Sequence, residues 1–301
     1  MIPAYPKIYA LGSKPVTDIF DGVVEVTEKV DGSFFGFGKL NGEVLCRSKG
    51  QQLNMESPEK MFTQGVEYVK SIADKLDDSV MYYGEYMNKP RHNTLKYETI
   101  PLNHIALFNV VKCGQWVTSR EEMVEEAAKI DMGIVPLIST FEMHDGKFDT
   151  DILKAMLETE SFLGGQKIEG VVVKNYEKQF LIGDRYHPIM AGKYVSEAFK
   201  EVHGMNKTFN SKGKWETYIE QYRTEARWEK GLQHLAESGV ITWTPRDIGV
   251  LIKEVQADIT EECSEDIKEF LFKTHMGALI RRSTQGLPEW YKDKLIDEPV
   301  A

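Results

Sequence analysis

The stretch from Val23 to Arg47 leaves the chain little choice of local structure. Val23 to Lys29 (VVEVTEK) alternates apolar and polar side chains, the period-two pattern of a half-buried strand. Asp31-Gly32-Ser33 makes a turn, and Phe35 to Leu40 continues as strand. Asn41-Gly42 is the strongest short hairpin signal, and Val44 to Arg47 reads as the return strand. The fold therefore starts from a sheet.

Other segments fill in around it. Between Pro58 and Leu76, the residues Phe62, Val66, Val69, Ala73 and Leu76 recur at steps of four and three, which predicts a helix with one apolar face. Ser119 with Glu122 forms a capping box ahead of a helix through Ile130. Val80 to Met87, Ile105 to Val111 and Ile168 to Lys174 read as strands. After about His203 the character changes: 204–213 is polar and irregular, and helical patterns follow. Trp215, Tyr218, Ile219, Tyr222 and Ala226 share one face. Thr244-Pro245 opens a helix that buries Ile248, Leu251, Ile252 and Val255. A further helix runs from about Ser264 to Arg281, and Leu287-Pro288-Glu289-Trp290 opens a last one. The reading is an α+β domain over residues 1–205 and a small all-helical domain over 206–301.

Composition narrows the class. With 42% hydrophobic and 28% charged residues, the chain is neither collagenous nor wholly disordered. No apolar run approaches the ~20 residues of a membrane span, and the amino end lacks the layout of a signal peptide. Cys46, Cys113 and Cys263 match neither a disulfide framework nor a metal spacing and read as small buried side chains. A cytoplasmic location and no membrane partner are expected. The net charge of −10 argues against nucleic acid as a partner. Its distribution argues back. Arg185 to Lys214 carries six basic residues against Glu197 and Glu201, whereas Lys253 to Phe270 carries two lysines against seven acids. The basic stretch is either a solvated face or a phosphate-facing one.

The most informative residues are Glu28-Lys29-Val30-Asp31-Gly32-Ser33. A lysine acts as a nucleophile only as the free amine, so its pKa, ordinarily near 10.4, must be lowered by burial or by a nearby cation. Asp31 and Gly32 permit a tight turn and let a ligand approach the backbone. Alone, the motif also describes a surface lysine before a hairpin. Downstream come Arg47-Ser48-Lys49-Gly50, Tyr83-Gly84-Glu85-Tyr86, Leu107-Phe108-Asn109-Val110, Glu169-Gly170-Val171-Val172-Val173-Lys174 and Gly192-Lys193-Tyr194-Val195. Taken singly, Arg47 is a surface strand residue, Glu85 an edge-strand carboxylate and Phe108 plain core. Glu169 and Lys174 are harder to place so, because ionised groups within an apolar strand need partners.

In this order the six motifs resemble the covalent nucleotidyltransferase superfamily of ATP-dependent ligases and capping enzymes, over about two-thirds of the chain. The resemblance implies an antiparallel-sheet adenylyltransferase domain of ATP-grasp-like nucleotidyltransferase type, followed by the helical domain. It makes Lys29 the residue that takes AMP from ATP, with Lys174 and Lys193 as its catalytic companions on the α-phosphate. Arg47 would contact phosphate and ribose, Glu85 the ribose hydroxyls and Phe108 the adenine ring. Asp31 would shape the nucleotide-binding turn, and Glu169 would hold Mg²⁺, with Mn²⁺ as a substitute. The chain looks most like the ATP-dependent RNA ligases typified by the second RNA ligase of T-even phage. Glu28 stands where those enzymes place a glutamate that reads the adenine amino group, and the carboxy-terminal region is helical rather than strand-rich. It departs from them at Asp31, where the phage enzyme has histidine, and at Ala191, where a first lysine is usual.

The expected activity is RNA ligation in three steps: AMP onto Lys29, AMP onto an RNA 5′-phosphate, and displacement of AMP by a 3′-hydroxyl. The partners would be RNA ends, in a nicked duplex or single strands, with no obligate protein partner. A DNA ligase, a capping guanylyltransferase and a non-catalytic nucleotide- or RNA-binding module are the alternatives. Because the nucleotide motifs all precede residue 206, removal of the helical region is expected to spare much of the self-adenylation.

Overall fold

Lys29 and Ser33 lie four residues apart in sequence and belong to two different sheets. The structure, a computed structural model, describes residues 1–143, 148–182, 185–195 and 214–297. From the amino end, β1 (Tyr9–Ala10) and β2 (Gly22–Lys29) lead to β3 (Ser33–Leu40) and β4 (Glu43–Arg47). Helix α1 (Thr63–Ser71) precedes β5 (Val80–Tyr86), β6 (Ile105–Lys112) and β7 (Gln115–Trp116). Then come α2 (Arg120–Lys129), β8 (Gly133–Ile134), β9 (Leu137–Met143) and α3 (Thr150–Met156). The last strands are β10 (Gly170–Asn175), β11 (Phe180–Ile182), β12 (Arg185–His187) and β13 (Met190–Val195).

The first sheet has the order β1-β13-β10-β2-β9, and the second β4-β3-β5-β6-β7 with β8 added on β6; β11 and β12 pair by themselves. The long strands pair antiparallel, as the resemblance implied, but β1–β13 and β6–β8 are parallel, so the sheets are mixed. The β6–β8 pair is reached through α2, the kind of crossover that a parallel neighbour requires. The Asn41-Gly42 hairpin forms as expected, with φ of +53° and +78° and Leu40 opposite Glu43. Asp31-Gly32-Ser33 is not a hairpin turn. It carries the chain from β2 in one sheet to β3 in the other.

Each sheet buries one face. Val24, Val26, Val171 and Val173 of the first pack with Ile19 and with Leu153 of α3. Phe35, Phe37, Tyr82, Tyr86, Ile105 and Leu107 of the second pack with Val66 and Val69 of α1. Ser119 caps α2 by accepting from Glu122 N at 3.2 Å.

The carboxy-terminal part holds α4 (Lys214–Glu220), α5 (Glu225–Glu237), α6 (Ile248–Ser283) and α7 (Leu287–Asp297). The single face expected from Trp215 to Ala226 is split between α4 and α5, because Thr224 caps α5 by accepting from Arg227 N. The separate helix expected to start at Ser264 is the middle of α6. Ser264 donates its hydroxyl to the carbonyl of Thr260 inside that helix instead of capping a new one. The chain divides into two compact units, 1–255 and 256–301. Among the described residues, no helix is long and apolar enough to cross a membrane. Cys46 and Cys263 are buried as expected, whereas Cys113 is exposed, at a positive-φ turn after β6.

Candidate functional site

Strand alternation delivers the charged residues to one place. On β2 and β10, Lys29 pairs with Gly170, Thr27 with Val172 and Glu25 with Lys174; on β13, Lys193 pairs with Val172. All of these lie on the face opposite the valine core. On β5, Tyr83 and Glu85 likewise lie opposite Tyr82 and Tyr86, which belong to the core beside α1. These two faces meet where Lys174 of β10 reaches Phe108 and Asn109 of β6, and the site lies between the sheets. Lys29 donates from Nζ to both oxygens of Glu169, at 2.7 and 2.5 Å. Lys193 eases the charge on Glu169, and Glu85 acts on Lys29 from the facing sheet.

Charge states follow from this crowding. Burial alone would push the Lys29 amine down, but Glu169, Glu85 and Asp31 outweigh it and hold the amine above its usual range. The expected depression of Lys29 is therefore absent in the ion pair, where the amine keeps its proton. Burial raises Glu169, against the opposing pull of Lys29. Burial also pushes Glu85 up to about 8; Lys29 opposes this, while Glu169, Glu237 and Asp31 reinforce it. These acids crowd around Lys29, with Lys193 acting on Glu169 as well.

Lys174 has a different setting. It is 2% exposed and burial pushes it down to about 7. Its Nζ donates to the carbonyl of Phe108 at 2.5 Å and to Asn109 Oδ1 at 2.8 Å, and lies 5.4 Å from the centroid of the Phe108 ring. Gly84 pairs with Leu107 and Tyr83 with Asn109, so Phe108 is the extra residue of a β-bulge. The bulge turns Phe108 and its neighbour Asn109 to the same side of the sheet. Tyr5 completes the group: its ring meets Phe108 edge-on at 5.0 Å, and its hydroxyl donates to Asn109 Oδ1 at 2.5 Å. Ala191 pairs with Lys174, so the position that usually carries another lysine in the resembled enzymes adds no second charge here.

Three of the residues expected to contact nucleotide are engaged by protein groups. Glu28 is 3% exposed; it accepts from Ser161 Oγ at 2.5 Å and from Phe162 N at 3.2 Å, on the opposite side of β2 from Lys29. Arg47 donates from Nε, Nη1 and Nη2 to the carbonyls of Ser48, Ile2 and Lys49. Asp31 accepts from Thr94 N at 2.9 Å and Leu95 N at 2.7 Å and so ties its turn to a neighbouring loop. A side chain on Gly32 would meet Tyr86 O at 2.7 Å, which is why the turn needs glycine there.

Sequence reasoning passed over Tyr5, Asn109, His92, Gln233 and Glu237, which all touch the site's framework. Asn109 carried a readable signal, a polar residue within the apolar run of β6. The others act across long sequence separations that no local pattern reports. Of the basic stretch Arg185 to Lys214, residues 196–213, with Lys200, Lys207 and Lys212, lie outside the described residues. So does the irregular segment 204–213.

A family model described as RNA ligase matches residues 22–194. No curated protein matches the chain. Among solved structures, a mutant of Naegleria gruberi RNA ligase with ATP and Mn is similar at a TM-score of 0.51 and 16% identity, over 66% of this chain and 57% of that one. An apo mutant of the same ligase gives 0.48 at 17% identity, over the same 66% and 57%. The ligase with PPi gives 0.47 at 18% identity, over 67% and 58%. The chain thus spans less than two-thirds of the length of these structures.

Proposed function

The chain belongs to the RNA ligase family, and on that premise we propose that it is an ATP-dependent RNA ligase working through AMP carried on Lys29. The observation that carries the reading is the Lys29–Glu169 ion pair, set between two sheets with Glu85 and Lys193 turned toward it. In the first step Lys29 Nζ attacks the α-phosphorus of ATP. Lys29 first loses one proton to solvent to become the free amine; the P–N bond then forms as the P–O bond to pyrophosphate breaks, and the second proton passes from nitrogen to solvent. Lys174 and Lys193 lie on the same face of the first sheet as Lys29 and would offset the charge that builds on the phosphoryl oxygens. AMP then passes to an RNA 5′-phosphate, and a 3′-hydroxyl displaces it.

The ion pair is the resting form, in which the nucleophile is protonated and inactive. Its activation requires that Glu169 let go. Without that carboxylate the amine loses the strongest of the charges that hold its proton, while burial continues to favour the neutral form against Glu85 and Asp31. The donor set suits Mg²⁺ or Mn²⁺: Glu85 and Glu169 are buried carboxylates held above their usual range, and a cation would relieve both. Among the described residues no group of three or more His, Cys, Asp and Glu could hold a metal by itself, so water and phosphate oxygens would complete the coordination. The metal would supply charge neutralisation at the phosphoryl oxygens.

The proposed substrates are RNA 5′-phosphate and 3′-hydroxyl ends, in a nicked duplex or as single strands, as in RNA repair. The deciding experiment incubates the protein with α-labelled ATP or GTP and a divalent cation, then denatures it. Label retained from ATP, and lost with Lys29→Ala, supports the reading. Retention from GTP alone would make it a capping-type guanylyltransferase, and no retention would make it a binding module. Sealing of nicked RNA compared with nicked DNA then separates the two ligase classes.

A further inference from the structure

Helix α5 lies outside the region that the family model matches, yet it reaches the turn that carries Lys29. Ser33, 1% exposed, opens β3 and pairs with Tyr86. Its hydroxyl donates to Glu237 Oε1 at 2.5 Å, and Gln233 Nε2 donates to the same oxygen at 2.6 Å. Gln233 also reaches Ser33 Oγ at 3.3 Å and the Gly32 carbonyl at 3.4 Å. Glu237 is itself 5% exposed.

Ser33 has one proton and gives it to Glu237, which leaves His92 Nε2, 2.8 Å from Ser33 Oγ, to donate there. The other ring nitrogen, His92 Nδ1, lies 3.3 Å from the main-chain N of Asn88 and 3.1 Å from Asn88 Oδ1. Burial, with help from Lys89, pushes His92 down to about 4. On its other side the turn is held by Asp31, bonded to Thr94 and Leu95, and by Asn93 Nδ2, which donates to the Gly32 carbonyl at 2.7 Å.

We propose that Glu237 and Gln233 are positioning residues for the nucleophile: they fix Ser33, and Ser33 fixes the short span back to Lys29. The inference rests on the proposed adenylation of Lys29 and adds to it a contribution from a helix that carries none of the nucleotide motifs. Misplacing a reacting group by about 1 Å can cost on the order of 10²-fold in rate.

The test measures single-turnover AMP transfer from ATP to the full chain. Glu237→Ala and Ser33→Ala are each expected to lower the rate by roughly 10- to 10²-fold, with KM for ATP held. The double variant should fall no further than the worse single one, because both break the same link. Glu237→Gln keeps an acceptor for Ser33 and should recover most of the rate. A wild-type rate in Glu237→Ala, or losses that multiply in the double variant, would overturn the proposal. Should Glu237→Ala fail to fold, Gln233→Ala at its half-buried position serves in its place. A second measurement needs no chemistry: hydrogen exchange at the amides of Asp31, Gly32 and Ser33, without nucleotide. Faster exchange in Gln233→Ala, at an unchanged melting temperature, supports the clamp, and unchanged exchange refutes it. A wild-type protein that takes no AMP but shows this exchange response would refute the ligase reading and keep the clamp.

Discussion

The amine of Lys174 donates to the main-chain carbonyl of Phe108 at 2.5 Å and so joins the first sheet to the bulge of the second. Its partners there are all neutral: a carbonyl, the Asn109 amide oxygen and an aromatic face. Burial outweighs the opposing help of Glu25, and Arg120 adds to the shift, which is why its proton is held weakly, near pH 7. An arriving phosphate would favour the charged form.

Lys174→Met should therefore separate stability from catalysis. The folded-state pKa of about 7 lies below the ordinary 10.5, so the lysine destabilises the fold increasingly as pH falls from about 10.5 to 7. Methionine fills similar volume without a charge. The melting temperature of the variant relative to wild type should rise between pH 10 and pH 7, while AMP transfer falls by roughly 10²-fold. A difference in melting temperature that stays flat across this range would show that Lys174 does not titrate as described.

Glu85 gives the opposite slope. Its folded-state pKa, about 8, lies above the ordinary 4.5, so the stability present below pH 4.5 is lost as pH rises toward 8. Glu85→Gln removes the charge and keeps the shape. It should match wild type in melting temperature near pH 4.5 and exceed it by roughly 5 °C near pH 8. Equal melting temperatures at both pH values would mean that Glu85 is fully compensated in the fold.

Much of this architecture was legible in the sequence, because alternation and turn chemistry are local signals. The VVEVTEK strand, the Asn41-Gly42 hairpin and the Ser119 cap all formed where the pattern put them. Three kinds of feature were not legible. Asp31-Gly32-Ser33 reads identically whether it folds back or crosses between sheets; what decides is the pairing of β2 with β9 and β10, more than 100 residues away. The bulge at Phe108 changes which side chains share a face, and its glycine, Gly84, lies on the facing strand rather than on β6. The grip of Glu237 on Ser33 spans 204 residues. Among the expected site residues, Lys29, Glu85, Glu169 and Lys193 converge, whereas Glu28 and Arg47 are bound to protein groups.

Lys29→Arg is the sharper of the two nucleophile substitutions. Arginine can still pair with Glu169 and preserve the local charge balance, but it stays protonated and cannot offer a free amine. Labelling by ATP should vanish with Lys29→Arg as completely as with Lys29→Ala, while the arginine variant keeps more of the wild-type melting temperature. Normal labelling of either variant would end the assignment of Lys29.

Glu169→Gln tests what releases the ion pair. Gln keeps the shape but neither holds Lys29 in an ion pair nor attracts a cation. If the carboxylate matters only as the partner of Lys29, its loss frees the amine and transfer holds or quickens. If it also attracts the metal, transfer falls by at least ~10²-fold, and higher Mg²⁺ restores part of it. The second result is the expected one, and titrating Mg²⁺ on the variant distinguishes the two.

Truncation separates the nucleotide site from the rest of the chain. The motifs end at Val195, so removal of the chain from about residue 206 is expected to spare much of the self-adenylation. The contacts of α5 argue otherwise: a chain ending at 205 lacks Gln233 and Glu237, and Ser33 loses its buried acceptor. A chain ending at 255 retains the whole first compact unit. The longer truncation product is expected to label with ATP near the full-length rate, and the shorter one at least roughly 10-fold more slowly. Measuring both for single-turnover AMP transfer, with melting curves to show that each folds, checks the difference. Equal labelling of the two would overturn the positioning role of Gln233 and Glu237.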